Sequence, residues 1–332
     1  MRYRNGLPLV TVVTPSYNQA EFLEHAICSV LGQDYPSIEY FLVDGASSDR
    51  SNDVIEKYAS SLNWWVSEPD DGQADAINKG LRKANGEIIA WLNSDDLYLP
   101  GAVSSAVDAL LANPDLGLVY GDAITIDING RPLNQLVFPQ WTLEDLMAFR
   151  IICQPAVFMR REVLERAGTL NKSFHFMLDH QLWLRIASKA PIQHIPSLLA
   201  AARYHPTAKN VAQAEQFSRE TYDVLAWMEK QPEMVEIIHR NRRKILAGAY
   251  RLSARYLLDG GFYSDALRTY GKALITQPVY AIGHWHRMLY ALLCLFGGTG
   301  LDEWYYQMRR GQNIDLTTNS DLKGWVGLRL DG

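Results

Sequence analysis

The stretch "GEIIAWLNSDD" (residues 86–96) runs from a glycine through five apolar residues into a polar turn that ends on two adjacent carboxylates. Ile88 to Leu92 read as a short buried strand. Asp95 and Asp96 repel one another across its end, so the pair calls for a positive partner beside it. A divalent cation gripping a phosphate-bearing ligand is one such partner. Capping of a helix that begins near Pro100 is the alternative role for the two aspartates.

Working upstream, the same alternation repeats. "LVTVV" (9–13), "IEYFLV" (38–43) and "WWVS" (64–67) are short, β-branched or aromatic runs. Each is followed by a polar turn: "PSYN", "DGASSD" and "EPDDG". Between them lie segments of helical spacing, "EFLEHAICSVL", "RSNDVIEKYASSL" and "QADAINKGLRKA", the last placing Ala74, Ile77, Leu81 and Ala84 on one face. Strands alternating with helices of about a dozen residues predict βαβ units and a parallel sheet. Ligands of such sheets bind beyond the carboxyl ends of the strands, so the acidic turns are expected to share one rim. Gly80 is expected to serve close helix–sheet packing.

Downstream, "LGLVYGDAITID" (116–127) reads as a strand, "IICQPAVFMRREVLERAG" (151–168) as a strand running into a helix ended by Gly168, and "HFMLDHQLWLRIAS" (175–188) as a helix with Asp179 near its start. After Tyr204-His205-Pro206 the chain turns mainly helical. Residues 247–278 hold one tetratricopeptide-like helix pair, marked by Gly260, Ala266, Ala273 and Pro278; a single such unit implies an appendage, not a solenoid. Two parts are therefore expected: residues 1–212, divided into halves at about residue 100, and a helical region from 213 to 332. The tail from Gly311 has no clear period.

The 332 residues carry a net charge of −5, which implies no general attraction to nucleic acid or to an anionic membrane. Cys28, Cys153 and Cys294 lie far apart and form no disulfide framework, which fits a reducing, cytoplasmic setting. The N-terminal apolar run is broken by Pro15 and reads as the first strand, not a signal peptide. "MLYALLCLFGG" (288–298) is too short to span a bilayer. Burial is its expected role and lipid contact the alternative.

Taken in order, "TPSYNQAEFLEHAICSVLGQDYPSIEYFLVDGASSDRS", "EPDDGQADAINKGLRKANGEIIAWLNSDD" and "FMLDHQLWLRIAS" resemble the family 2 glycosyltransferases over roughly residues 8–208. The resemblance implies a GT-A fold, here a mostly parallel central sheet flanked by helices with a C-terminal helical region. It implies a metal-dependent, inverting transfer of sugar from a nucleotide diphosphate donor (UDP-, GDP- or dTDP-linked) to an acceptor hydroxyl. Asp95 becomes the ligand for Mg²⁺ or Mn²⁺, in a motif that reads Asn93-Ser94-Asp95 where the family has Asp-x-Asp. Asp44 matches the base-recognising aspartate, with an Asx-turn as its plain structural alternative. Pro15 and Tyr17 match residues that wall base and ribose; Asp71, Asn93 and Ser94 complete the nucleotide-sugar set.

Asp179 becomes the general base, alone at a motif where the family often has Glu-Asp. A first-turn helix aspartate favoured by the helix dipole is the alternative. "ARYHPTAKN" (202–210) offers His205 as a third metal ligand or phosphate contact, and Arg203 or Lys209 to neutralise the departing diphosphate. The implied setting is bacterial polysaccharide or glycan assembly in the cytoplasm. A lipid-linked acceptor would add peripheral contact at the inner face of the membrane. Two other readings compete. A sugar-phosphate nucleotidyltransferase would need a Gly-rich basic loop that "TPSYNQAEF" lacks, and a catalytically degenerate scaffold acting through the helical tail is suggested by Asn93 and Leu178. No GxGxxG follows the first strand, against a dinucleotide oxidoreductase.

Overall fold

Side chains alternate across a strand, and in Val10–Ser16 (β1) both faces are apolar because both are covered. Val10 and Val12 face one helical layer while Val13 faces the other. The computed structural model of the chain describes residues 3–4, 6–204 and 213–296. Beyond β1 its central sheet contains Ile38–Asp44 (β2), Trp64–Ser67 (β3), Ile88–Trp91 (β4), Leu97–Tyr98 (β5), Leu118–Ile126 (β6), Pro132–Leu136 (β7), Val157–Arg160 (β8) and Ile192–Arg203 (β9). The order is β3-β2-β1-β4-β8-β6-β9-β5, with β7 paired to the end of β6. β3, β2, β1 and β4 run parallel, as their alternation with helices predicts. β8 is antiparallel to both β4 and β6, and β9 is parallel to β6 but antiparallel to β5. The sheet is thus parallel through its first half and mixed as a whole.

One face is covered by Ala20–Leu31 (α1) and Ala102–Ala112 (α4), which meet Tyr40, Leu42, Ile88 and Ala90. The other is covered by Gln73–Lys83 (α3) and Leu178–Ala187 (α7), which meet Val13, Phe41, Val43, Ile89 and Trp91. Ser51–Tyr58 (α2), Leu143–Met147 (α5) and Arg161–Ala167 (α6) complete the domain. Gly80 does the packing expected of it: a Cβ there would run into the Val13 side chain, so α3 lies closer to β1 than any other residue permits. Asp95 and Asp96 do not cap α4; its N-cap is Gly101, and no side chain bonds there.

Five further helices follow among the described residues: Ala214–Met228 (α8), Pro232–Asp259 (α9), Tyr263–Thr276 (α10), Val279–Ile282 (α11) and Trp285–Leu295 (α12). α9 and α10 are the expected helix pair. The division expected at residue 212 does not coincide with a break in the core. Phe217, Val224 and Met228 of α8 and Met234, Ile238, Ile245 and Leu252 of α9 join the cluster that holds Val13, Trp91 and Leu182. α9 bends at Asn241, whose φ of −114° and ψ of 18° are not helical. Past the bend it presses on the chain after α5, where a Cβ on Gly248 would collide with the carbonyl of Ala148.

α12 is half-buried, not buried. Tyr290 and Ala291 pack on α9 and α10, while Trp285, Leu289 and Leu292, with Phe296 just beyond, stay exposed along one stripe. Among the described residues no helix is long and apolar enough to cross a membrane.

A chain ending at Ala212 would lose the seven core side chains named from α8 and α9. At roughly 1.5–3 kcal/mol for each buried side chain, that matches the whole net stability of a typical domain, about 5–15 kcal/mol. Such a fragment is expected to lack a cooperative thermal transition by circular dichroism. A sharp transition with native-like secondary structure would show that residues 1–212 fold alone.

Candidate functional site

A cleft of roughly 780 Å³ opens at the carboxyl ends of β1, β2 and β4. Pro15, Ser16 and Tyr17 leave β1 along one wall, and Asn93, Ser94, Asp95 and Asp96 leave β4 along its floor. The loops around the first wall hold an uncommon backbone: Asn18 has φ 52° and Ala46 φ 60°, conformations L residues adopt at a cost. Asn18 is held there by its N–H to the Ser47 Oγ (2.8 Å) and by its side-chain oxygen, which accepts from the Ser48 N–H (2.8 Å). Gly45 brings the β2 turn against Asp70, whose Oδ2 would lie 2.6 Å from any Cβ at that position.

Two expected acidic residues stand apart from the cleft lining. Asp44 is fully buried beneath it at the head of the turn "DGASSD", accepting from the Ser47 N–H three residues on (2.8 Å) and from the Ser67 Oγ (2.7 Å). Asp71 points outward to Lys172 Nζ at 2.5 Å. Its neighbour Asp70 faces the cleft instead, its Oδ1 accepting from the Gly72 N–H (2.8 Å). The sequence signal for Asp70 was present in "PDDG", where only the choice between adjacent aspartates was open.

The turn after β4 is tightly wired. Asp96 is buried; its Oδ1 accepts the backbone N–H of Arg203 (2.9 Å) and its Oδ2 accepts from Asn93 Nδ2 (3.2 Å). Asn93 Oδ1 in turn accepts from Gln73 Nε2 (2.7 Å), so both ends of that amide are engaged within the protein. Burial, and then the Asp95 charge, hold the Asp96 carboxyl well above the ordinary range. Arg203 lines the cleft, but two of its guanidinium nitrogens are engaged by backbone carbonyls. Its Nε donates to the Asp95 carbonyl (2.9 Å), one terminal nitrogen donates to the carbonyls of Asp127 and Ile128 (3.0 Å each), and its guanidinium lies over Phe22.

Asp179 stands in the first turn of α7 and lines the same cleft. α7 is docked by Trp183, one turn on, which stacks on Trp91 of β4 with centroids 5.1 Å apart. Arg185 fixes the other end of the helix by donating to the carbonyls of Ala167, Gly168 and Thr169. The helix-start role weighed for Asp179 is partly realised, since its Oδ1 accepts the His180 N–H (2.7 Å). Burial nevertheless raises its carboxyl to about 6, outweighing that bond. His180 is a core residue, its Nε2 3.0 Å from the Leu146 carbonyl and its pKa lowered by burial to about 4.

Cys153, Phe217 and Tyr256 also line the cleft and were not singled out in the sequence. Neither was Glu220 of α8, which bonds the chain just before Asp179. No motif marks Phe217, Glu220 or Tyr256; they reach the site through tertiary packing of helices whose sequence is merely amphipathic.

His205 and Lys209 lie outside the described residues. Among the described residues no group of three or more His, Cys, Asp or Glu could hold a metal ion. The cleft offers Asp95, with Asp96 behind it. That set fits Mg²⁺ or Mn²⁺, which keep bound water and share one or two carboxylates with substrate phosphates.

Residues 11–168 match the sequence model of glycosyl transferase family 2. An uncharacterized glycosyltransferase of Rickettsia conorii is 30% identical over 208 residues, 59% of this chain but 34% of that protein, so the chain spans about a third of that relative. The putative teichuronic acid biosynthesis glycosyltransferase TuaG of Bacillus subtilis is 29% identical over 190 residues, 56% of this chain and 74% of that one. Among solved structures, the mannosyltransferase PcManGT of Pyrobaculum calidifontis, in complex with GDP-Man and Mn²⁺, superposes with a TM-score of 0.58 at 23% identity. It covers 86% of this chain and 85% of its own, and it bears on the fold.

Proposed function

We propose that this chain, whose residues 11–168 match the glycosyl transferase family 2 model, moves a sugar from a nucleotide diphosphate donor to an acceptor hydroxyl, with inversion at the sugar carbon. The observation that carries this reading is Asp179, a carboxyl group that shares one cleft with Asp95 and is raised by burial to about 6. At neutral pH such a group is ionised yet more basic than an ordinary carboxylate, the compromise a general base needs. Asp179 takes the acceptor hydroxyl proton as that oxygen bonds the sugar carbon. The bond to the diphosphate breaks on the opposite side, so an α-linked D-sugar becomes β-linked.

On the donor side Pro15, Tyr17 and Ser94 wall the nucleotide. Asp44 acts on that wall through the turn it holds, with Asp70 as the carboxylate facing the ligand and Asp71 beside it paired to Lys172. A divalent ion, when bound, neutralises the diphosphate charge; Asp95 would hold it, with Asp96 behind and His205 as the third group implied by the family resemblance. Assembly of a bacterial envelope polysaccharide is the proposed setting, supported by the teichuronic acid assignment of the Bacillus relative.

Attachment to the cytoplasmic face of a membrane belongs to the same proposal. The exposed stripe of Trp285, Leu289, Leu292 and Phe296 sits in a segment, residues 232–296, with nine Arg and Lys against four Asp and Glu in a chain that is acidic overall. Arg243 donates to the Thr276 carbonyl (2.9 Å), which sets a cation beside the exposed Ile275 and Val279. Exposed apolar side chains in a cation-rich segment suit an anionic lipid surface.

Asp179→Asn is expected to abolish transfer while sparing donor binding, and turnover above a tenth of wild type would remove Asp179 from the base role. In the wild type, kcat is expected to fall as pH drops through about 6, because protonation of Asp179 removes the proton acceptor; a flat profile from pH 5 to 8 would contradict this. Thermal unfolding with UDP, GDP and dTDP, each with and without Mn²⁺, should show a metal-dependent shift for one nucleotide. Saturation at about a hundred times Kd adds roughly 2.7 kcal/mol. Asp95→Ala should make that shift indifferent to Mn²⁺, and no shift with any nucleotide would favour a degenerate scaffold. Finally, the full chain should sediment with phosphatidylglycerol vesicles but not phosphatidylcholine vesicles, and Trp285→Ser with Leu289→Ser should release it; sedimentation unaffected by the double substitution would place the contact elsewhere.

A further inference from the structure

Glu220 lies on α8, forty-one residues beyond Asp179, and is buried with 6% of its surface exposed. A carboxylate is seldom buried without partners, and here the partners are three successive backbone N–H groups. Glu220 accepts from His175 (2.7 Å), Phe176 (2.6 Å) and Met177 (2.5 Å), the residues that lead directly into α7. No arginine or lysine is paired with it among the described ion pairs. Its charge is carried by the chain that delivers Asp179 to the cleft.

We propose that Glu220 is the positioning residue for Asp179, fixing the entry into α7 and setting the charge environment of its carboxyl group. The inference rests on Asp179 as the base. Two physical effects combine. Held by three N–H bonds, residues 175–177 cannot rotate, so Asp179, two residues beyond, keeps one orientation toward the cleft. The start of a helix also stabilises a carboxylate, which would make Asp179 a weaker base. Glu220 places a second negative charge against that same helix start and opposes the effect; its charge is among the causes that raise Asp179, after burial.

Three titratable groups packed around Asp179 do not change charge near neutrality, and the His175 ring lines the same cleft. Cys153 is pushed far up by burial, and Tyr256 on α9 is pushed up to about 12. His180, on α7 itself, is lowered to about 4 and stays neutral. Glu220 is the acidic group on a different element whose charge acts to raise Asp179, so removing it should be visible in the pH profile.

The test compares full-length Glu220→Gln and Glu220→Asp with wild type and Asp179→Asn, reading kcat, donor KM and the pH dependence of kcat. Glu220→Gln should lower kcat at least tenfold with donor KM within about twofold, and should move the acid limb to lower pH, since Asp179 loses a repelling charge. Glu220→Asp keeps the charge on a shorter arm; kcat should fall while the limb stays in place. A folded Glu220→Gln protein with unchanged kcat and limb overturns the proposal. Should that variant fail to fold, Glu220→Asp decides: unchanged kcat there overturns it equally. Full turnover in Asp179→Asn would overturn the base assignment itself, whereas lost turnover in Asp179→Asn beside unaltered Glu220 variants would overturn only the role of Glu220.

Discussion

The carboxyl group of Asp96 is buried against that of Asp95, and the N–H of Arg203 at the end of β9 is what makes the burial tolerable. Everything on the floor of the cleft follows from meeting that requirement. The Arg203 guanidinium closes on the carbonyls of Asp95, Asp127 and Ile128, which ties the turn after β4 to the turn after β6. Asn93 holds the other Asp96 oxygen and is held by Gln73 at the start of α3. A single acidic side chain therefore gathers the ends of β4, β6 and β9 and the head of α3 around one point. Asp95 and Asp96 both line the cleft, with both oxygens of Asp96 engaged by the protein.

The second half of the site obeys a similar rule with different parts. The entry to α7 is a run of backbone donors, and a buried run of donors needs an acceptor. That acceptor comes from α8, which the chain reaches only after the whole sheet is complete. The cleft wall is accordingly assembled from both ends of the sequence: Tyr17 and Asp70 from the first hundred residues, Phe217 and Tyr256 from the helices beyond residue 213. The shared core of α3, α7, α8 and α9 is the energetic side of the same arrangement.

The parallel half of the fold was legible because alternating strands and helices leave a local, periodic record in the chain. β8 and β9 were harder. Their partners are far away in sequence, so direction and register leave no local trace, and a sheet expected to be mostly parallel proved mixed past β4. The acidic rim was read correctly as a rim, since each turn follows a strand, but which aspartate faces the cleft depends on one-residue turn geometry. Asp71 goes to Lys172 and Asp70 inward for that reason. Arg203 was read as a ligand for phosphate because it is a cation near the motif; in the folded chain backbone carbonyls claim it first. Glu220 had no sequence signal at all, since a glutamate on an amphipathic helix looks the same whether it meets water or a buried loop.

Where α9 crosses the chain after α5, there is no room for even one carbon atom on residue 248. That crossing works as a key. A tail borrowed from another protein could match every apolar position of α9 and still stand off from the domain by the width of a methyl group. Phe217 and Tyr256 would then be drawn back from the cleft they line. Exchange of C-terminal regions between chains of this fold would have to preserve a glycine remote from the cleft.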